Sequence, residues 1–149
     1  MNYQTNFKSV RGEVSAAEWQ TRLDLAACYR LVDRYDMQDL IYNHITARIP
    51  GTPDHLLINL YGLLYKEITA SSLVKIDLDG NILSKPATDY GINKSGYVIH
   101  GAIHKARPNV VCAAYAYAGR HSGGGDEMRV VAVVANLDPF RRPYRVSRL

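Results

Sequence analysis

The feature that most constrains the fold of this chain is a pair of turn sequences that divide its centre into short segments. Residues 50–54 combine two prolines with a glycine and an aspartate, and Asp79-Gly80 is a favoured two-residue hairpin turn. The flanking segments favour strands: residues 42–49, 56–60, 74–78 and 81–83. Because such short connections join antiparallel neighbours, we expect a sheet of at least four strands built largely from hairpins.

A long amphipathic helix is predicted before the first strand. Ser15 and Glu18 have the spacing of a capping box, in which a hydroxyl and a carboxylate each accept a hydrogen bond from an amide at the helix start. Apolar residues then recur at three- and four-residue steps, which predicts a helix over residues 16–34. The charged residues between them are expected to face water: Arg22, Asp24 and Asp33.

Two further helical patterns lie downstream. Residues 66–73 favour a short helix, and residues 93–106 carry apolar side chains at helical spacing before Pro108. A buried strand is predicted to begin at residues 110–112. The predicted fold class is therefore α/β, with a mixed, largely antiparallel sheet.

The positive charge of the chain is concentrated near its C-terminal end. The net charge is +4, of which residues 1–112 contribute +1 and residues 113–149 contribute +3. Gly123–Gly125 does not resemble a phosphate-binding loop, because no Lys-Ser or Lys-Thr pair follows. Arg141, Arg142 and Arg145 form only a weak basic patch, so we expect no nucleic-acid partner.

The compartment is predicted from cysteine usage and from the apolar runs. Two cysteines, Cys28 and Cys112, do not make a disulfide framework, which favours a reducing environment. No signal-peptide core and no run of about 20 apolar residues is present, so we expect no membrane association. The sequence predicts a cytoplasmic protein.

Several residues could carry chemistry, and each also has a structural interpretation. His100 and His104 stand at i and i+4 on one predicted helix, a spacing that suits zinc, but no metalloprotease glutamate follows His100 and a structural pair is favoured. His44 is more simply a hydrogen-bonded core residue than a ligand. Asp77 and Asp79 flank the second turn and are explained by turn chemistry.

Six segments resemble the class II aldolase/adducin family, most closely its bacterial adducin-like branch. The segments are residues 25–30, 39–48, 57–64, 67–73, 96–100 and 103–108. The resemblance implies a three-layer α/β/α domain that assembles into oligomers and binds a small sugar-phosphate-like ligand. In the family's enzymes it also implies a zinc ion, held by three histidines, that polarises the substrate during retro-aldol cleavage or epimerisation.

The resemblance also assigns roles to individual positions. Asn43 matches the family's asparagine at the substrate-binding turn, Gly62 matches the glycine near the substrate phosphate, and Ser95 matches a serine of the substrate site. Gly96 takes the place of the glutamate that serves as general acid and base in the enzymes. Because glycine has no side-chain proton to exchange, the resemblance implies no catalytic residue in this chain.

The metal ligands implied by the family are also replaced. Family enzymes place an H-x-H motif just after the position of Cys112, whereas this chain has Tyr115 and Tyr117. Phenols with a pKa near 10 are poor zinc ligands beside imidazole at neutral pH. The sequence therefore predicts no metal and no cofactor in this chain, with zinc kept by its intact enzyme relatives.

Residues 113–149 suggest a change of reading frame. The alternating Ala and Tyr residues at 114–118 can be encoded by bases whose reading one position later gives H-T-H-T, and codons exist for which the shifted reading remains family-like for more than twenty residues. All six cations of the segment are arginines, whereas residues 1–112 mix Lys and Arg evenly. We therefore divide the chain into a lead-in and helix start at 1–22, a family segment at 23–112 and an out-of-frame tail at 113–149.

Three functions remain open from the residues. The first is a truncated, catalytically inactive family member without the zinc-binding H-x-H. The second is a metal-dependent sugar-phosphate aldolase or epimerase, and the third is a non-catalytic oligomerisation or interaction module. The sequence leaves enzyme activity undecided, because the family implies it while the ligand and acid/base positions oppose it.

Overall fold

The described part of the chain folds into two helices and a seven-stranded sheet. The computed structural model describes residues 6–118, 129–135 and 145–146, with side chains described up to Ala114. The helices are α1, Ala16–Arg34, and α2, Lys94–Ala106, with a short 3₁₀ helix at Tyr65–Glu67. The strands are β1 Ile45–Arg48, β2 His55–Ile58, β3 Val74–Asp77, β4 Ile82–Ser84, β5 Cys112–Ala118, β6 Arg129–Ala135 and β7 Arg145–Val146.

The strands follow the order β4-β3-β2-β1-β5-β6-β7 across the sheet, and every described pair is antiparallel. Both hairpins predicted from the turn sequences are present, as β1–β2 and β3–β4. The strand predicted to begin at residues 110–112 is β5, which lies between β1 and β6. The predicted α/β class with a largely antiparallel sheet is confirmed.

Helix α1 begins and ends at the predicted residues. The Ser15 hydroxyl accepts a hydrogen bond from the Glu18 amide at 3.1 Å, which is half of the predicted capping box. The Glu18 carboxylate instead binds Arg22 Nη2 and Lys75 Nζ, each at 2.8 Å. Because Lys75 belongs to β3, this ion-pair network ties the start of α1 to the sheet.

The expectation that Arg22 faces water is wrong. Its side chain is 2% exposed, and its Nη1 donates to the carbonyl oxygens of Ala70 at 3.2 Å and Leu73 at 2.8 Å. These carbonyls lie in the turn before β3. A buried guanidinium can satisfy several such acceptors at once, which helical periodicity in the sequence does not reveal.

The short helix predicted over residues 66–73 is wrong in type and extent. Only Tyr65–Glu67 is helical, as a single 3₁₀ turn. Beyond it, the Thr69 amide donates to Ser72 Oγ at 2.9 Å and the Ser72 amide donates to Thr69 Oγ1 at 3.2 Å. These hydroxyl groups compete with helical hydrogen bonds, so the chain forms a turn before β3.

Strand β1 lies between the two helices. Ile45 belongs to the apolar core together with Leu25 and Tyr29 of α1, whereas the Thr46 side chain contacts α2. Successive side chains of a strand point to opposite faces of the sheet, so the helices cover opposite faces. This arrangement is the three-layer α/β/α architecture that the family resemblance implies.

Tyr29 connects α1 directly to the start of β1. Its fully buried hydroxyl accepts from the Ile45 amide at 2.8 Å and donates to the Ile45 carbonyl oxygen at 2.5 Å, with Asn59 Oδ1 at 2.9 Å. Its ring meets Tyr65 edge-to-face with centroids 4.6 Å apart. The hydroxyl thus satisfies the amide and carbonyl groups of Ile45, the first residue of β1, as the main chain of a neighbouring strand otherwise would.

We predict that Tyr29→Phe lowers the free energy of unfolding by about 2 to 4 kcal/mol, because buried main-chain groups lose their partner. Urea denaturation measures the change. The matched control is Tyr35→Phe, whose ring is 66% exposed at the end of α1, and we expect it to stay within about 0.5 kcal/mol of the native chain. Equal losses in the two variants would contradict the anchoring role of Tyr29.

Candidate functional site

A buried polar junction joins α2 to the sheet. Thr46 Oγ1 lies 2.8 Å from His100 Nδ1 and 3.0 Å from His104 Nε2, and all three residues are at most 2% exposed. The i and i+4 spacing of the two histidines places both imidazoles over the same strand residue. Together, Thr46, His100 and His104 form the Thr46 junction.

Arg48 orients this junction from the same face of β1. Its Nη2 donates to the His104 carbonyl oxygen at 2.8 Å and lies 3.4 Å from His104 Nδ1, and its Nε donates to the Val110 carbonyl oxygen at 3.1 Å. The Thr46 hydroxyl can both donate and accept, so it can bridge a donor nitrogen and an acceptor nitrogen of the two imidazoles.

The junction is built to hold neutral histidines. Burial, together with the neighbouring His44 and His104, lowers the pKa of His100 to about 3. Burial also lowers the pKa of His104 to about 4, assisted by the Arg48 guanidinium. Among the described residues, no acidic side chain forms an ion pair with either imidazole. Both groups are therefore uncharged at neutral pH.

His44 fills the space in front of Gly96. A Cβ atom added to Gly96 would lie 2.8 to 2.9 Å from the imidazole ring of His44, which is too close for any side chain unless the ring moves. The His44 ring also packs on His100, with ring centroids 4.2 Å apart. Burial lowers the pKa of His44, opposed by main-chain hydrogen bonds at Tyr42 and Gly96.

Asn43 and Ser95 lie on adjoining segments. The Asn43 side chain, 1% exposed, accepts from the Asp39 amide at 3.0 Å and donates to the Met37 carbonyl oxygen at 3.3 Å. Ser95 Oγ donates to Oδ1 of Asn93, the residue that caps α2, at 2.7 Å. Asn93 Nδ2 in turn donates to the Tyr42 carbonyl oxygen at 3.3 Å, so the structure brings the start of α2 beside the turn that holds Asn43.

Gly62 adopts a backbone conformation that favours glycine. Its φ is +104°, and a Cβ atom there would lie 3.7 Å from the Tyr90 ring. The amide of the preceding residue, Tyr61, donates to the Gly91 carbonyl oxygen at 2.9 Å. Gly62 therefore adjoins the segment that leads into α2 but not the Thr46 junction itself.

Tyr115 and Tyr117 lie in β5, whose backbone pairs with β1 through Ile45 and Ala114. Their side chains lie outside the described part of the chain. Within the part that is described, no three His, Cys, Asp or Glu side chains form a group able to hold a metal ion. Since phenols replace imidazoles at these two positions, the donor set does not fit a zinc centre of the kind that the family resemblance implies.

The remaining sequence candidates are structural or lie outside the described residues. Asp77 Oδ1 accepts from the amides of Asp79 and Asn81, each at 2.9 Å, and Asp79 pairs with Lys105. Hydrogen bonds from Asn81 hold the pKa of Asp77 below its usual value. The segments outside are Gly123–Gly125 and the pair Arg141 and Arg142, while Arg145 is described only as backbone of β7.

Sequence reasoning missed Thr46 and Arg48. Both are buried, and they lie two residues apart on one face of β1. A signal was available, since polar side chains at alternate positions of a central strand need buried partners, and the two histidines four residues apart could supply them. Joining these patterns required knowing that α2 crosses β1.

Comparison with known proteins identifies the family. A model described as Class II Aldolase and Adducin N-terminal domain matches residues 23–119. The chain therefore belongs to the class II aldolase/adducin family. The match runs beyond Cys112 into the segment that carries Tyr115 and Tyr117.

Two curated relatives come from distant organisms. A Caulobacter vibrioides protein named for aldolase class 2 is 58% identical over 99 residues, covering 66% of this chain and 38% of that protein. Alpha-adducin of Rattus norvegicus is 46% identical over 112 residues, covering 72% of this chain and 15% of that protein. The chain thus spans less than half the length of these relatives.

Solved structures agree with this assignment. An aldolase II superfamily protein from Pseudomonas syringae is 50% identical with a TM-score of 0.71, covering 74% of this chain and 44% of that one. L-fuculose 1-phosphate aldolase from Glaciozyma antarctica is 27% identical with a TM-score of 0.62, covering 73% of this chain and 43% of that one. Among the residues described for the present chain, no helix has the length and apolar character to cross a membrane.

We predict that Gly96→Ala lowers the free energy of unfolding by about 1 to 3 kcal/mol, because the new methyl group displaces the His44 ring. Chemical denaturation measures the loss. The direction is informative, since alanine alone would favour a helix by up to about 1 kcal/mol over glycine.

The matched control is Gly91→Ala, because a Cβ atom there meets nothing within 4 Å. It should change stability by no more than about 0.5 kcal/mol. In a double-mutant cycle, His44→Ala should remove most of the penalty of Gly96→Ala. Strict additivity of the two substitutions would show that His44 does not close this position.

Proposed function

We propose that this chain is a catalytically inactive, adducin-like member of the class II aldolase/adducin family, which acts as a non-catalytic binding module. One observation carries the proposal: His44 occupies the space in front of Gly96, the position that the resemblance assigns to the acid/base glutamate. Without a side chain at residue 96, no group is available there to exchange a proton with a substrate.

The replacement of the metal ligands supports the same proposal. Retro-aldol chemistry of the family type needs an electrophile to stabilise the oxyanion that develops on the substrate. Tyr115 and Tyr117 stand where the resemblance places two of the three histidines. Two independent requirements of the reaction, the proton-transfer group and the metal ligands, therefore lack their residues.

The proposal extends to ligand, partner and compartment. Asn43 and Gly62 match the positions that the resemblance assigns to substrate binding, which supports binding of a small sugar-phosphate-like ligand without its cleavage. Assembly with further copies of the chain would follow the adducin-like pattern. Cys28 and Cys112 are both free thiols, which supports a reducing, cytoplasmic environment.

The second candidate is a metal-dependent sugar-phosphate aldolase or epimerase. It is favoured by the similarity to L-fuculose 1-phosphate aldolase, at 27% identity over 73% of this chain. The first candidate predicts neither stoichiometric zinc nor carbon–carbon bond cleavage, whereas the second predicts both. They are therefore separated by one set of measurements on the same protein.

We predict that the purified chain, incubated with zinc and then freed of excess metal, retains far less than one zinc ion per chain and does not cleave L-fuculose 1-phosphate. Elemental analysis and detection of the carbonyl products measure both properties. The matched variant is Tyr115→His with Tyr117→His, which should raise the zinc content without producing cleavage while Gly96 remains. Stoichiometric zinc together with cleavage by the unchanged chain would overturn the proposal of inactivity.

We further propose that residues 113–149 result from a frameshift near Cys112. The Arg-only cations, Gly123–Gly125 and the family-like shifted reading support it. Strand β5 is compatible with this origin, because alternating Ala and Tyr residues fit a strand whether or not selection shaped them.

Direct resequencing of the gene tests this origin. We expect the bases to give the H-x-H motif and a family-like continuation when they are read one position later. A single intact frame that encodes Tyr115 and Tyr117, with no family-like reading beside it, would exclude a frameshift.

A further inference from the structure

Helix α2 docks on the sheet through an unusual set of residues. Its fully buried positions are Gly96, His100, Gly101 and His104, whereas its larger apolar side chains Tyr97 and Ile103 are only half-buried, Tyr97 against the edge of the apolar core. Val98 and Ile99 of the same helix are 55% and 51% exposed. By contrast, α1 buries Leu25, Ala26 and Tyr29 in addition to its ion pair.

The hydrogen bonds of the Thr46 junction are the fully buried polar attachment of α2, beside the half-buried contacts of Tyr97 and Ile103. Two glycines allow a close approach: a Cβ atom on Gly101 would lie 3.0 Å from the Leu78 carbonyl oxygen, and one on Gly96 would meet His44. Close approach contributes dispersion contacts but little apolar burial. The directional attachment comes from the two imidazoles that share the Thr46 hydroxyl.

No acidic side chain of the described residues forms an ion pair with His100 or His104. The titratable or charged neighbours from β1 and the residue before it are Arg48, a cation, and His44, a third imidazole. From β5, the Ala113 carbonyl oxygen approaches Thr46 at 3.5 Å. Just before β5, the Val110 carbonyl oxygen binds Arg48, and a main-chain hydrogen bond at Val110 partly opposes the lowering of the His104 pKa. The side chains of Tyr115 and Tyr117 lie outside the described residues.

The basic residue that follows His104 on α2 forms an ion pair outside the Thr46 junction. Lys105 is half exposed and pairs with Asp79 in the β3–β4 turn. Two positive charges formed on His100 and His104 would therefore share one hydroxyl beside the Arg48 guanidinium. A buried charge without a partner is among the costliest groups that a folded protein can hold.

We propose that the Thr46 junction is an acid-operated latch, in which protonation of His100 and His104 releases α2 from the sheet while α1 stays docked. This inference goes beyond the proposed function and does not depend on it. The folded state holds both imidazoles neutral, whereas the released helix exposes them to water, where they protonate readily. Acid therefore favours release, because the stabilisation of the docked state is complete only above the ordinary pKa of histidine, near 6.5, and falls as the pH drops below it.

The test is amide hydrogen exchange of the full chain, followed by mass spectrometry and corrected for the intrinsic pH dependence of exchange. Between about pH 7 and about pH 5, peptides covering α2 should lose protection by up to tenfold per pH unit for each histidine that gains a proton. Peptides covering α1 should keep their protection over the same range. Loss of protection in both helices together, or in neither, would overturn the latch.

A matched variant separates titration from hydrogen bonding. In His100→Asn with His104→Gln, amide groups, which both donate and accept, can replace the ring nitrogens that bind Thr46, but they do not titrate. This variant should keep α2 protected at about pH 5, and the control His55→Gln, in β2, should behave like the native chain. Acid release of α2 that persists in the double variant would contradict the proposal.

The native chain also provides a measurement that needs no substitution. Imidazole titration by nuclear magnetic resonance should give His100 and His104 the same midpoint as the loss of α2 protection. If either histidine took up its proton while α2 remained protected, the coupling between charge and docking would be absent and the latch would be excluded.

Discussion

The rest of the structure depends on the position of β1 between two helices, which bind it through different side chains: a tyrosine hydroxyl from α1 and imidazoles from α2. Ile45 presents its main chain to Tyr29 on one side, and Thr46 presents its hydroxyl to His100 on the other. A central strand has no solvent to satisfy its polar groups, so each must find a partner within the fold. The two helices supply those partners, and their positions on opposite faces follow from the alternation of adjacent residues in one strand.

The outline of this fold was predictable because local chemistry specifies it. The turns at residues 50–54 and at Asp79-Gly80, and the cap at Ser15, depend on nearby residues alone, and all agree with the structure. Arg22 was misplaced because its partners, Ala70 and Leu73, lie about fifty residues away in sequence. Periodicity assigns a charged residue to water and cannot anticipate buried carbonyl oxygens that need a donor.

In the candidate site, as in the fold, features set by neighbouring residues were predictable and features set by residues distant in sequence were not. The family resemblance identified Gly96 as a position without its acid/base group, and this required only alignment of neighbouring residues. His44 fills the space in front of Gly96 because the start of β1 and helix α2 lie side by side. No pattern within either segment encodes that contact. Val98 and Ile99 belong to the apolar pattern of residues 93–106, yet both are exposed, whereas the helix fully buries only its glycines and histidines.

The His44 imidazole links the two features that distinguish this chain. One side of the ring closes the position in front of Gly96, and the ring also packs on His100 at a centroid separation of 4.2 Å. A side chain at residue 96 would displace His44 toward the Thr46 junction or out of the site, because protein interiors leave no free volume for a ring. The lack of a side chain at residue 96 and the histidine-based docking of α2 therefore belong to one packing arrangement. A family member with glutamate at this position would need different packing around His44, and its α2 would then be held by different contacts.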